Sequence, residues 1–156
     1  MANQPFPVPK FLYLKRSSLA TGQVPNCALL PRMAPDSNPL RLEPILPGIF
    51  SIAAPGHTSG NTVLKVTHGS DSLLLMSDLV HFPLYQFANP SLTVIFDETP
   101  ETAIATRKRI FDMAAEENIP LAGPHLEFPG IVMIRKAGNG YSYDAFDQAI
   151  YNNIAP

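Results

Sequence analysis

Ala54-Pro55-Gly56-His57-Thr58-Ser59-Gly60-Asn61 is the stretch on which the fold of this chain turns. A Pro-Gly turn holds an imidazole directly before the apolar run Thr62-Val63-Leu64-Lys65-Val66-Thr67. Zinc and its neighbours take nitrogen and oxygen ligands, and a rigid backbone presents them best. Two further candidates follow, each at the end of an apolar run: Asp78 in Met76-Ser77-Asp78-Leu79 and His125 in Gly123-Pro124-His125-Leu126. If those runs are strands, all three side chains meet at one edge of a sheet. On spacing alone, a loop histidine or aspartate is more often structural than ligating. No histidine precedes His57.

Outward from this stretch the chain has two unlike parts. Ten of the 17 prolines fall at or before Pro55. Proline has no amide donor and disfavours helix for its preceding residue. Residues 1–44 are therefore expected to form an irregular, Pro-rich arm, with one short helix near 11–19. Residues 45–156 read as the folded domain. Strands are expected at Gly48–Ala53, Thr62–Thr67 and Ser72–Met76, with turn residues between the last two and an exposed His68 in that turn. Thr99 and Pro100 open an amphipathic helix that Asn118 and Pro120 end. Its basic trio, Arg107, Lys108 and Arg109, reads as a solvated face. A short buried strand then leads to His125, and Ala137-Gly138-Asn139-Gly140 joins a terminal hairpin. A short helix is expected after Tyr143.

Composition narrows the function. The 156 residues fit one domain. Eleven basic and 13 acidic residues give a net charge of −2 without a charge block, which argues against nucleic acid as a partner. The one cysteine, Cys27, cannot form an internal disulfide and reads as an ordinary packed or loop residue. No run is long enough for a membrane span, and the N-terminus lacks the pattern of a signal peptide, so a cytoplasmic location is expected.

The quoted motifs, in their order, resemble those of the metallo-β-lactamase fold. Pro55–Asn61 resembles its glycine-histidine-threonine motif. Ser77-Asp78-Leu79-Val80-His81 resembles the motif whose aspartate bridges two metals, and Gly123–Gly130 the last histidine motif. The branch most similar is that of lactonases and methyl-parathion-hydrolase-like enzymes, where a helix rich in alanine and arginine separates the last two motifs. The stretch His81–Pro90 is also similar to that branch. The resemblance covers about residues 40–145. It implies an α/β fold of αββα type, here its C-terminal half: a mainly antiparallel sheet with one long helix and a C-terminal hairpin. It implies His57, Asp78 and His125 as metal ligands. His81 is implied behind the ligands or in the pocket, with an ordinary packed histidine as the alternative. Phe82, Leu84, Tyr85 and Phe87 either line an apolar pocket for an acyl or aryl group or simply pack.

One departure is large. The family's early His-x-His-x-Asp-His motif is absent from this sequence. The family uses one or two ions; at most one Zn2+, Mn2+ or Fe2+ is expected here. The resemblance thus implies a metal-dependent hydrolase of ester, lactone or phosphotriester substrates whose site is incomplete, with reduced or no activity alone. The alternative is a non-catalytic binding or assembly module that dimerises or is completed by another chain. A truncated product without a function of its own is a third reading.

Overall fold

The structure, a computed structural model, describes residues 41–145. Cys27, the helix expected at 11–19 and the end of the tail lie outside them. Seven strands form one sheet in chain order: β1 (Glu43–Leu46), β2 (Ile49–Ala53), β3 (Thr62–His68), β4 (Asp71–Leu75), β5 (Leu121–Ala122), β6 (Ile131–Ala137) and β7 (Gly140–Ala145). Every neighbouring pair is antiparallel except β4 and β5. Helices α1 (Pro83–Ala88) and α2 (Pro100–Glu117) lie in the crossover between these two parallel strands.

The strands and α2 form where period and punctuation place them. β1 straddles the expected boundary at 44–45. It tolerates Pro44 because it is an edge strand, and its pairing with β2 shifts between Pro44 and Leu46. Thr99 occupies the N-cap position of α2, but its side chain makes no capping bond. Asn118 ends the helix in the left-handed region (φ 54°). β7 runs through Asp144 and Ala145, where the sequence suggested helix. His68 ends β3 opposite Asp71 and is exposed.

One face of the sheet carries the core. Ile52, Val63, Leu74, Leu121, Val132 and Ile134 pack there against Ile110, Phe111 and Ala114 of α2. Ile110 and Phe111 are fully buried, and each such side chain contributes roughly 1.5–3 kcal/mol relative to exposure. The opposite face aligns a second apolar row, Ile49, Val66, Leu64, Leu75, Ala122 and Ile131, in cross-strand register. Leu75 on that row is 37% exposed. The described part is thus one sheet with its helices on one face.

Asp112 ties α2 to the hairpin. It accepts a hydrogen bond from the Tyr141 hydroxyl at 2.7 Å and faces Lys136 Nζ at 3.0 Å. The Tyr141 hydroxyl first, then Lys136, holds its carboxyl below the ordinary value. A carboxyl lowered by folding stabilises above its unfolded pKa, and the gain disappears as pH falls through the folded value. Asp112→Asn is expected to flatten the acid limb of the stability curve below about pH 4, read from urea midpoints across that range.

Candidate metal centre

Sheet order decides which loops meet. β2 and β4 both run antiparallel to β3, and β5 runs parallel to β4. These three strands therefore point the same way, and the loops leaving their C-terminal ends share one edge. Those loops carry His57, Asp78 and His125. Neighbouring strands lie about 4.8 Å apart, so the β2 and β4 loops need to bridge only about 10 Å. His125 Nε2 lies 3.2 Å from Asp78 Oδ1, and His57 Nε2 lies 4.0 Å from Asp78 Oδ2. The two oxygens of one carboxylate thus face one imidazole each.

Each loop is held by its own bonds. Around His57, Gly56 N–H donates to Thr58 O at 3.0 Å, and Asn61 Nδ2 donates to Ala54 O at 3.0 Å. The turn is sewn to the start of α2, where Thr99 N–H donates to Gly56 O and Glu98 N–H to His57 O, both at 3.0 Å. Asp78 sits in a single 3-10 turn, Ser77–Leu79, entered through Ser77 at φ 50°. That conformation is uncommon outside glycine and marks a backbone held by its surroundings. The His125 loop is closed by Gly123 N–H to Gly130 O at 3.1 Å, and it contains the cis peptide Phe128-Pro129.

Sequence reasoning missed Asp97 and misread Arg107. The Asp97 side chain is fully buried, and its Oδ1 lies 3.2 Å from His57 Nδ1. An ionised carboxylate only accepts, so the Nδ1 of His57 carries a proton, and in the neutral ring this leaves the lone pair on Nε2. Asp97 Oδ2 accepts from Val94 N–H at 3.1 Å and lies 3.8 Å from Arg107 Nη2. Arg107, expected on a solvated face, is 1% exposed. It donates to the carbonyls of Leu79 (2.8 Å), Pro90 (3.0 Å) and Leu92 (2.7 Å). Burial pulls its guanidinium below the ordinary value, and Asp97 opposes that. Arg109 also turns inward, donating to Ala53 O at 2.6 Å, while Lys108 is exposed. The trio is therefore one solvated residue and two that bind backbone. The missed signal lay in Asp97 itself, an acidic residue between the apolar run Thr93–Phe96 and the helix start.

His81 lies between the other two imidazoles. Its ring centroid is 4.6 Å from those of both His57 and His125, tilted 42° and 27°. Burial first, then the neighbouring His125 and His57, lowers its pKa. Gln86, buried in α1, fixes its backbone: Oε1 accepts from His81 N–H at 2.7 Å and Phe82 N–H at 3.0 Å. Gln86 Nε2 donates to Leu92 O at 3.1 Å. Gln86→Leu leaves the His81 and Phe82 N–H groups unpaired and is expected to cost about 1–3 kcal/mol, measured by urea denaturation. Of the proposed pocket residues, Phe87 is fully buried among Phe111 and Tyr143. Phe82, Leu84 and Tyr85 are 59%, 67% and 63% exposed beside the cluster.

Solved structures share this fold. One is AidC, a dizinc quorum-quenching lactonase in complex with a product, at 25% identity and a TM-score of 0.63. Another is the hydrolase AbOPH of the beta lactamase superfamily, at 28% identity and the same TM-score of 0.63. Each match covers 67% of this chain. This chain carries part of a metallo-β-lactamase fold. It spans 36% of the length of either solved chain. A probable metal-dependent hydrolase from Staphylococcus aureus, at 20% identity and a TM-score of 0.55, shares the fold. No family model and no curated protein matches the sequence.

The side chains of this metallo-β-lactamase portion fit a divalent cation. Asp78, His81 and His125 each offer a ligand atom, and these atoms lie within 4.8 Å of one another. Ligands bound at about 2.0–2.2 Å to one ion need little further convergence. The Asp78–His125 hydrogen bond uses atoms that an ion can join in place of a proton. The Asp97–His57 pair is the carboxylate–histidine arrangement that orients a ligating imidazole.

Proposed function

We propose that this chain supplies part of the site of a metal-dependent hydrolase for esters, lactones or phosphotriesters, and that it has weak or no activity alone. The convergence of His57, Asp78 and His125 at one sheet edge carries this reading. The likeness to a dizinc lactonase supports it. The ion is Zn2+ or a neighbour such as Mn2+ or Fe2+, with at most one bound. A divalent ion in such a site supplies Lewis-acid activation of the substrate and of water. The chain's own residues orient and exclude. Asp97 holds His57 in the tautomer that presents Nε2. Asp78 presents its two oxygens to His57 and His125. Phe82, Leu84 and Tyr85 offer an apolar rim for an acyl or aryl group. Because the His-x-His-x-Asp-His motif is absent here, fewer ligands grip the ion than in a two-metal site.

Metal analysis tests the reading. Purified protein dialysed against zinc, manganese or iron is expected to retain up to one ion per chain, and Asp78→Asn and His125→Gln to release it. Hydrolysis of an acyl lactone, an aryl ester and an aryl phosphotriester is expected to be slow and sensitive to chelator. Wild-type protein that takes up no metal sinks the proposal.

The apolar row on the second sheet face favours a further reading, a module completed by a second copy or another chain. Beside that row an open groove of about 550 Å³ is lined by Leu73, Leu75, Ala122, Pro129 and Ile131. Contiguous apolar surface of this kind marks interaction sites. Sedimentation decides: a well-behaved monomer at micromolar concentration counts against it.

A further inference from the structure

We propose that His81 is itself a metal ligand in this chain, forming a one-ion site for a first-row divalent cation with Asp78 and His125. The motif comparison assigns it no such role. The inference rests on the metal reading above and puts His81 in the place of His57 as the third ligand.

Four observations carry it. Among the described residues, the group of three or more side chains able to share an ion is Asp78, His81 and His125, with ligand atoms within 4.8 Å. His57, with its Nε2 4.0 Å from Asp78 Oδ2, is not part of that group. The His81 Nδ1 is buried and has no hydrogen-bond partner. A buried polar nitrogen left unpaired is costly, so a native fold that keeps one has a use for it. The backbone of His81 is also pinned: its N–H is bound at 2.7 Å by Gln86, a side chain 1% exposed. Pinning the backbone, stacking the ring on His125 and setting it against the tilted His57 ring restricts the imidazole before any ion arrives. Pre-organisation lowers the ordering cost of binding.

Ligand count explains why the role matters in this chain. Catalytic zinc sites use three protein ligands and keep one position open. His125 and Asp78 supply two. With the early histidine motif absent, His81 is the third donor already within reach, three residues after Asp78 across the turn at Leu79 and Val80. Two imidazoles and one carboxylate suit Zn2+, Fe2+ or Mn2+. His57, braced by Asp97, then stands at the open side.

Cobalt(II) titration of the full chain tests this, with circular dichroism as the control for folding. Wild type is expected to bind one Co2+ with visible d–d absorption. His81→Gln and His125→Gln are expected to weaken binding by at least about 100-fold, beyond the 10–100-fold typical of residues that only support a ligand. His57→Gln is expected to weaken it less. His81→Cys separates ligation from positioning: a thiolate bound to cobalt adds a strong near-ultraviolet charge-transfer band. That band, with affinity restored relative to His81→Gln, supports the proposal. A folded His81→Cys that binds Co2+ without the band overturns it. So does a His81→Gln protein of wild-type affinity; if His125→Gln then still loses the ion, the broader metal reading survives. Wild-type protein that binds no cobalt, zinc, manganese or iron overturns both.

Discussion

Arg107→Met is expected to destabilise the protein by about 3–5 kcal/mol, the range for removing one partner of a buried ion pair. The guanidinium is 1% exposed and holds the carbonyls of Leu79, Pro90 and Leu92. Its removal leaves the Leu79 and Pro90 carbonyls unpaired, leaves Leu92 O with Gln86 alone, and strips Asp97 of its nearest positive charge, Nη2 at 3.8 Å. Methionine fills the volume but donates nothing. Against a total stability of about 5–15 kcal/mol for a typical domain, the loss is a large fraction. Arg107→Lys is expected to recover little, because an ammonium cannot reproduce the planar fork. Urea unfolding with an unchanged slope measures the effect. A variant within about 1 kcal/mol of wild type contradicts the account, since a single net hydrogen bond alone is worth that much. Because Asp97 braces His57, metal affinity is expected to fall as well.

Gly56→Ala is expected to cost about 2–6 kcal/mol, summing about 1–3 for backbone strain and about 1–3 for overpacking. Gly56 has φ 134°, which side-chain-bearing residues rarely adopt. A Cβ there sits 2.3 Å from both the N and the Cα of Ala103. These are backbone atoms of α2, so no side chain can swing away. Either the His57 turn or the helix start must move, and the bond from Thr99 N–H to Gly56 O is lost with it. Thermal unfolding is expected to show a large fall in Tm, and metal titration a weaker site. Gly60→Ala is the matched control: a Cβ there meets nothing within 4 Å, and little change is expected.

Much of the sheet was legible because its signals are local. β2, β3, β4 and the β6–β7 hairpin show apolar runs bounded by turn residues, and α2 shows both a period and stops. α1 did not. Six residues, Pro83–Ala88, are too few to display a helical period, and the helix depends on Gln86 binding the backbone ahead of it and on Phe87 entering the core. β1 was obscured by Pro44, whose missing donor is harmless only at an edge.

The site divides along the same line. His57, Asp78 and His125 are visible in the chain because a Pro-Gly turn or the end of an apolar run marks each one. Their meeting follows from β5 adding parallel to β4, a pairing across 47 residues that no local pattern states. Arg107 and Asp97 show the converse. By period, Arg107 belongs on a solvated face; in the fold, loop carbonyls and one buried carboxylate surround it. Residue type and spacing alone thus determined most of the strands, the long helix and the chemistry of the candidate ligands. Which charges are buried, which imidazole Asp97 orients and where His81 stands were decided only by tertiary structure. Desolvation and hydrogen bonding at those groups depend on chain segments brought together by the fold, not on their neighbours in sequence.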